Sequence, residues 1–193
     1  MHAPHRNALG VLLALGTFGC GSTLGGGSTP PAQNEIDQYF VGTQVFRLPD
    51  GSEQAGGSVA LRRTLRPEEH TVIEQVVIRD TRGAVESHLT RFDVDTSDTH
   101  FTVQPLDGAA VEGDGDFTGE PWNWTAWHVQ TRRADGSVIV TDETLTATDL
   151  SIESRVVGSD GSAAMVIRQV LTRVSRERYE QEREALAPTP DAP

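Results

Sequence analysis

The chain has a single cysteine and no lysine, and its apolar runs are short. One cysteine excludes a disulfide within the chain, so stability has to come from core packing and from backbone hydrogen bonds. Sixteen basic side chains, all arginine, stand against 28 acidic ones, which gives a formal net charge of −12. Such a surface repels the phosphates of nucleic acids and excludes them as partners. No apolar run is long enough to cross a bilayer as a helix.

Catalytic motifs are also missing from the sequence. It has no Gly-x-Ser-x-Gly elbow, no phosphate-binding P-loop, no His-Glu-x-x-His motif and no pair of cysteines. The histidines between the termini are far apart in the sequence, and their spacing gives no reason to expect that they meet. We therefore expect a protein that is not an enzyme and that needs no cofactor.

Residues 1–19 have the organisation of a secretory signal peptide. A cationic start ends at Arg6, an apolar run follows from Ala8 to Gly16, and the small residue Gly19 precedes Cys20. This order predicts cleavage before Cys20, which then becomes the first residue of the mature chain. The alternative is an ordinary secretory signal, with Cys20 either removed or left as a free thiol.

Gly19-Cys20 after the apolar run resembles the lipobox of bacterial lipoproteins. The resemblance implies that Cys20 is acylated and anchors the chain in a lipid bilayer of the bacterial cell envelope. The protein would then face the periplasm, with the outer membrane favoured over the inner one. Residues 20–37 are predicted to be the lipidated cysteine and a flexible tether, because their glycines, serines and prolines have no large side chain to bury. The glycine-rich part of such a tether spans roughly 20 Å.

Between residues 38 and 174, short β-rich runs alternate with turn signals. Asp-Gly pairs supply the positive φ angles of tight hairpins, and they occur at Asp50-Gly51, Asp107-Gly108, Asp135-Gly136 and Asp160-Gly161. In one of these runs Val59, Leu61 and Leu65 share a face, opposite Ser58, Arg62 and Thr64. The pattern predicts an all-β fold, an antiparallel up-and-down β-barrel of about 8–10 strands, because closing the sheet removes its edges.

A charged helix is predicted over residues 175–187, after the last strand. Ser175 is a suitable N-cap. Tyr179 and Leu186 lie two turns apart and would dock the helix on the barrel wall, while the alternative is a solvated helix. Residues 188–193 are rich in proline and are predicted to be a disordered tail.

The order of strands followed by a helix resembles the lipocalin-like (calycin) barrels, and also uncharacterised bacterial lipoproteins. The residues that carry the resemblance are Phe40-Val41-Gly42 and the segment from Gly113 to Trp127. Gly42-Thr43-Gln44 stands where lipocalins carry Gly-x-Trp, so the resemblance rests on the order of elements. It implies a secreted barrel that holds an apolar small molecule.

All three tryptophans of the chain fall within six residues. In a regular strand Trp122, Trp124, Ala126 and His128 share one face, and Trp127 points the other way. The ligand hypothesis makes Trp122 and Trp124 an aromatic wall and His128 the polar group that orients the ligand. The alternative is a core plug, in which the rings fill the barrel.

Two acidic segments have the carboxylate density of a calcium site. Glu112 to Asp116 fails the EF-hand pattern, because Phe117 stands where that motif requires glycine. Asp93 to His100 is explained by turn chemistry. We expect a solvated bend and a turn at these places, and we predict no metal site.

Together these features predict a membrane-anchored envelope lipoprotein with a non-enzymatic β-barrel that binds an apolar small molecule or lipid. The alternative is a solid-core scaffold whose partner is another envelope protein, which the sequence does not identify. The bilayer is the expected partner in both cases, through acylated Cys20. The space beside Trp122 and Trp124 distinguishes the two hypotheses.

Overall fold

The computed structural model describes residues 34–106 and 111–187. Their elements, in chain order, are β1 (Ile36–Arg47), β2 (Glu53–Arg66), β3 (Thr71–Arg79), β4 (Val85–Asp95), β5 (His100–Pro105), β6 (Val111–Glu120), β7 (Asn123–Arg133), β8 (Val138–Leu145), β9 (Asp149–Val157), β10 (Ala163–Arg173) and α1 (Arg176–Leu186). A short 3-10 turn, Pro67–Glu69, joins β2 to β3. The predicted all-β fold with a C-terminal helix is confirmed.

The ten strands form one closed antiparallel barrel. Each strand pairs with its neighbours in sequence, and β10 pairs with β1 to close the sheet. The β2–β3, β4–β5, β6–β7 and β8–β9 connections therefore lie at one end of the barrel. We call this the tryptophan end, because Trp122 lies in the β6–β7 connection.

The turns at the opposite end use the predicted Asp-Gly chemistry. Gly51, Gly136 and Gly161 have φ angles of 82°, 81° and 80°. In each turn the preceding aspartate accepts a hydrogen bond from the backbone N–H of the following serine, at 2.8 or 2.9 Å. These contacts fix three hairpins, while Asp107-Gly108 lies outside the described residues.

Aromatic rings fill the barrel interior at the tryptophan end. The ring of Trp127 lies 4.9 Å from that of Phe92 and 5.0 Å from that of Phe101, measured between centroids. Gly115 makes room for them, because a Cβ atom there would lie 2.7 Å from the Phe101 ring. A second interior cluster contains Phe40, Val59, Leu61, Leu150, Ile152 and Leu171. The expected solvated bend at Glu112 to Asp116 is wrong, because these residues lie within β6, which pairs with β5 and β7 in the barrel wall.

Helix α1 docks on the outer wall of the barrel. Tyr179 and Leu186 are buried in a cluster with Ala60 and Val77, so the docked alternative is the one that the structure contains. Ser175 caps the helix, since its Oγ accepts a hydrogen bond from the backbone N–H of Arg178. Burial raises the pKa of the Tyr179 hydroxyl.

Replacing Tyr179 with Ala should lower the free energy of unfolding by about 3–5 kcal/mol, because a ring that is 1 % exposed is removed. Tyr179→Phe is the matched control. The Tyr179 Oη has no hydrogen-bond partner among the described residues, so its loss should leave stability unchanged or increase it. Urea unfolding followed by tryptophan fluorescence measures both. Equal midpoints for wild type and Tyr179→Ala would show that the helix adds no stability.

Candidate functional site

A bulge in β7 decides which side chains enter the barrel at the tryptophan end. Thr118 pairs with Ala126, but the next residue, Gly119, pairs with Trp124, so Thr125 is an extra residue. An extra residue inverts the inside–outside alternation of a strand. Trp124 and Trp127 therefore both point into the barrel and are 4 % and 3 % exposed.

The predicted shared face of Trp124 and His128 is wrong for this reason. His128 lies on the outer surface, and its Nδ1 is 2.7 Å from Asp142 Oδ1. Asp142 also accepts a hydrogen bond from Arg155. The hydrogen bond with His128 lowers the pKa of Asp142, and Arg155 adds to this effect, against the opposing effect of burial. His128 thus belongs to a hydrogen-bond network on the outer surface and lies apart from the tryptophans.

The tryptophan end holds a cavity of about 420 Å³. Trp122 and Trp124 form one wall, with ring centroids 6.0 Å apart and planes inclined at 56°. The other lining residues are Gln38, Asn123, Thr125, Leu145, Thr146, Ala147 and Arg173. Small-molecule sites commonly have volumes of about 300–1,000 Å³. This cavity falls in that range, and its lining is about as polar as it is apolar. The structure thus brings Trp122 and Trp124 together at one cavity, as the ligand hypothesis requires.

Packed rings lie beneath this cavity. The Trp124 ring is 4.7 Å from that of Trp127 and 5.9 Å from that of Phe117. The cavity is therefore a mouth at the end of the barrel, above a filled interior.

Backbone strain is concentrated at the same end. Among the described residues other than glycine, only His70, Thr99 and Trp122 have positive φ angles, of 53°, 50° and 68°. All three lie in connections of the tryptophan end, and the rings of His70 and Trp122 are 6.4 Å apart. Such conformations cost on the order of 1–3 kcal/mol each, and they cluster at functional sites. The strain thus marks this end of the barrel independently of the cavity.

A buried charge cluster spans the barrel interior, and the sequence analysis did not identify it. The Nε of Arg63 donates to Glu74 Oε2 at 3.0 Å, and its Nη2 donates to Glu143 Oε2 at 2.8 Å. Its guanidinium carbon lies 4.3 Å from the centroid of the Trp127 ring. Arg63 is fully buried, and its Nη1 has no hydrogen-bond partner among the described residues. The cluster ties β2, β3 and β8 together through the core.

The cluster places two carboxylates around one cation. Burial raises the pKa of Glu143, and the charge of Glu74 adds to this effect, while Arg63 opposes it. Burial alone would lower the pKa of Arg63, but the charges of Glu143 and Glu74 outweigh burial and raise it. Chemically, the cluster can hold a proton inside the barrel.

The alternation of inward and outward side chains along β2 indicates the position of Arg63 in this cluster. Val59, Leu61 and Leu65 were predicted to share one face, which the structure places inside the barrel, and Arg63 falls in the same alternation between Leu61 and Leu65. Glu74 lies likewise between the inward positions Val72 and Val76 of β3. The third member, Glu143 of β8, could not be predicted from the pattern of one strand, because its contact with Arg63 depends on the closure of the barrel.

The acidic segments form no metal site in the described part of the chain. Asp116 Oδ1 lies 3.2 Å from His100 Nδ1 on the outer wall, and Asp95 accepts hydrogen bonds from Ser97 within its turn. No group of three His, Cys, Asp or Glu side chains in residues 34–106 and 111–187 is placed to hold a metal ion.

Cys20, the signal-like segment, residues 20–33 of the predicted tether and the tail lie outside the described residues. The last two residues of the predicted tether, 36 and 37, belong to β1, so the barrel begins earlier than expected. Of the helices that the structure describes, none has the length and apolar character needed to cross a membrane.

No protein-family model and no curated protein matches the chain. The ten-stranded antiparallel barrel with its C-terminal helix is consistent with a lipocalin-like fold.

Replacing Glu143 with Gln should flatten the pH dependence of stability. Because the pKa of Glu143 is raised in the folded protein, the folded state binds this proton more tightly than the unfolded chain. The contribution is fully present below the unfolded pKa and is lost as pH rises through the folded pKa. The free energy of unfolding in urea should therefore fall more steeply in wild type than in Glu143→Gln as the pH is raised above about 5.

Glu153→Gln is the matched control, because Glu153 lies on the outer wall with Arg168 and should leave the slope unchanged. Arg63→Leu leaves two carboxylates buried without their cation and should cost about 3–5 kcal/mol. Parallel pH profiles for wild type and Glu143→Gln would contradict the proton-holding role.

Proposed function

We propose that this protein is an envelope lipoprotein, anchored through acylated Cys20, whose lipocalin-like barrel binds an apolar or amphiphilic small molecule without catalysis. The cavity of about 420 Å³ beside Trp122 and Trp124 is the observation that carries the proposal. The ligand lies at the mouth of the barrel, above the packed rings, and His128 takes no part in binding it.

The surroundings of the cavity support a preformed site. Trp124 is fixed by its contacts with Trp127 and Phe117, so it loses little freedom when a ligand binds. Trp122 is held in a strained backbone conformation that the β6–β7 turn imposes. Rigid aromatic rings beside a cavity offer apolar area at a low entropic cost.

The proposed anchor rests on the Gly19-Cys20 pattern, and the charge of the chain limits how that anchor works. A net charge of −12 repels anionic head groups, so attachment has to rest on acyl chains. One chain binds a membrane only marginally and two hold it firmly.

A second candidate function is a scaffold that binds another envelope protein. The filled interior favours it, because the rings around Trp127 and the Arg63 cluster occupy the space that a deep ligand would need. Val170, which is 63 % exposed on the outer wall, is an apolar contact point of the kind a partner protein would cover.

The ligand proposal predicts that single-chain probes bind beside the tryptophans. Full-length protein carrying Cys20→Ser is titrated with laurate and with 1-dodecanol below their aggregation concentrations. At least one probe should shift the tryptophan emission and raise the melting temperature, since a ligand that binds only the folded state stabilises it. Trp122→Ala should weaken binding by about tenfold, because one wall of the cavity is lost.

The matched control is His128→Ala, which changes the outer surface and should bind as wild type does. A flat titration with both probes would overturn ligand binding and favour the scaffold.

If Cys20 is acylated, it should determine whether the protein partitions into the detergent-rich or the aqueous phase of a cell extract. Wild type should enter the detergent-rich phase when a detergent extract of cells is warmed, whereas Cys20→Ser should stay in the aqueous phase, because it has no acyl chain. Immunoblotting of both phases measures the ratio. Equal partitioning into the aqueous phase would overturn the anchor.

A further inference from the structure

The cavity at the tryptophan end carries one charged side chain, and it is positive. Arg173 is the single ionisable residue among those that line the cavity. The chain has 28 acidic side chains and a net charge of −12, yet no acidic side chain of the described residues lines this space. The lining of the cavity is thus positively charged, whereas the chain as a whole is negatively charged.

Arg173 reaches the cavity from the last position of β10. It pairs with Phe40 of β1, and its guanidinium carbon lies 5.4 Å from the centroid of the Phe40 ring. Most arginines in the described part of the chain pair with a carboxylate, as Arg62 does with Asp37 and Arg168 with Glu153. Arg173 pairs with no carboxylate of the described residues, although acidic side chains outnumber basic ones.

A neutral polar group that lines the same cavity also has no partner among the described residues. The Oε1 of Gln38 is buried, and it accepts no hydrogen bond from the described residues. Gln38 lines the same cavity. A buried unpaired amide oxygen costs on the order of 1–3 kcal/mol, so it marks a place where an ordered water or a hydroxyl of the ligand donates a hydrogen bond, a role that an ionised carboxylate does not fill.

The geometry points to an organic anion as the ligand, an amphiphile whose carboxylate or phosphate group pairs with Arg173. This inference rests on the proposed function and names its ligand class. The apolar body lies against Trp122, Trp124 and Leu145, and the charged head lies at Arg173. A guanidinium binds either acid group in a bidentate manner, which makes arginine suited to this role.

The test varies the head group at constant chain length. Full-length protein carrying Cys20→Ser is titrated with laurate, dodecyl phosphate, 1-dodecanol and dodecylammonium, and binding is measured by tryptophan emission and melting temperature. Both anions should bind at least about tenfold more tightly than the alcohol, and dodecylammonium should bind most weakly. Acetate and inorganic phosphate alone should bind far more weakly than the anions with chains.

Variants of Arg173 assign the preference to this residue. Arg173→Gln should lower the affinity for laurate to that for 1-dodecanol, and Arg173→Lys should retain part of the preference. Arg132→Gln, which removes an exposed arginine from β7, should leave laurate binding unchanged. The urea midpoint of each variant is measured alongside, so that a loss of folding is distinguished from a loss of binding.

Each contrary result removes a defined part of the inference. If 1-dodecanol binds as tightly as laurate, the proposed function stands and the anionic ligand class is overturned. If acetate or phosphate alone binds as tightly as the chained anions, the amphiphile is overturned. An anion preference that persists in Arg173→Gln overturns the role of Arg173, and a lack of binding by every probe overturns the proposed function as well.

Discussion

The pairing of β10 with β1 is the interaction on which the rest of the structure depends, because it turns ten strands into a closed wall. A barrel of about eight strands is just wide enough for ordinary side chains to fill. Ten strands enclose more space, and this chain fills part of it with large groups. Phe92, Phe101, Trp127 and the buried Arg63 with its two carboxylates occupy the interior that closure creates.

The packed interior determines where the cavity lies, at the mouth of the barrel. The bulge at Thr125 turns Trp124 inward onto Trp127, so the interior is packed up to this level. Space for a small molecule remains above the rings, where the β6–β7 and β8–β9 connections and the ends of β1 and β10 surround it. Backbone strain, aromatic rings and the positive charge of Arg173 thus meet at the tryptophan end of the barrel.

Local signals in the sequence predicted the strands and the helix, because Asp-Gly turns, alternating side chains and the Ser175 cap act over a few residues. The positions of Trp127 and His128 could not be predicted in this way, since the bulge depends on how β7 pairs with β6. The cavity likewise joins Gln38, Trp122 and Arg173 from distant parts of the chain. Arg63 is intermediate, because its inward position could be predicted while its partner Glu143 could not.

The position of the closing strand has a consequence for the time course of folding. Synthesis starts at the N-terminus, so β1 is made long before β10. The edge of β1 that later pairs with β10 therefore has no partner while most of the barrel is being made. Contacts between strands so far apart in sequence form slowly, and open strand edges favour aggregation. The unfinished chain therefore needs protection on that edge until its last strand and the helix behind it have been released.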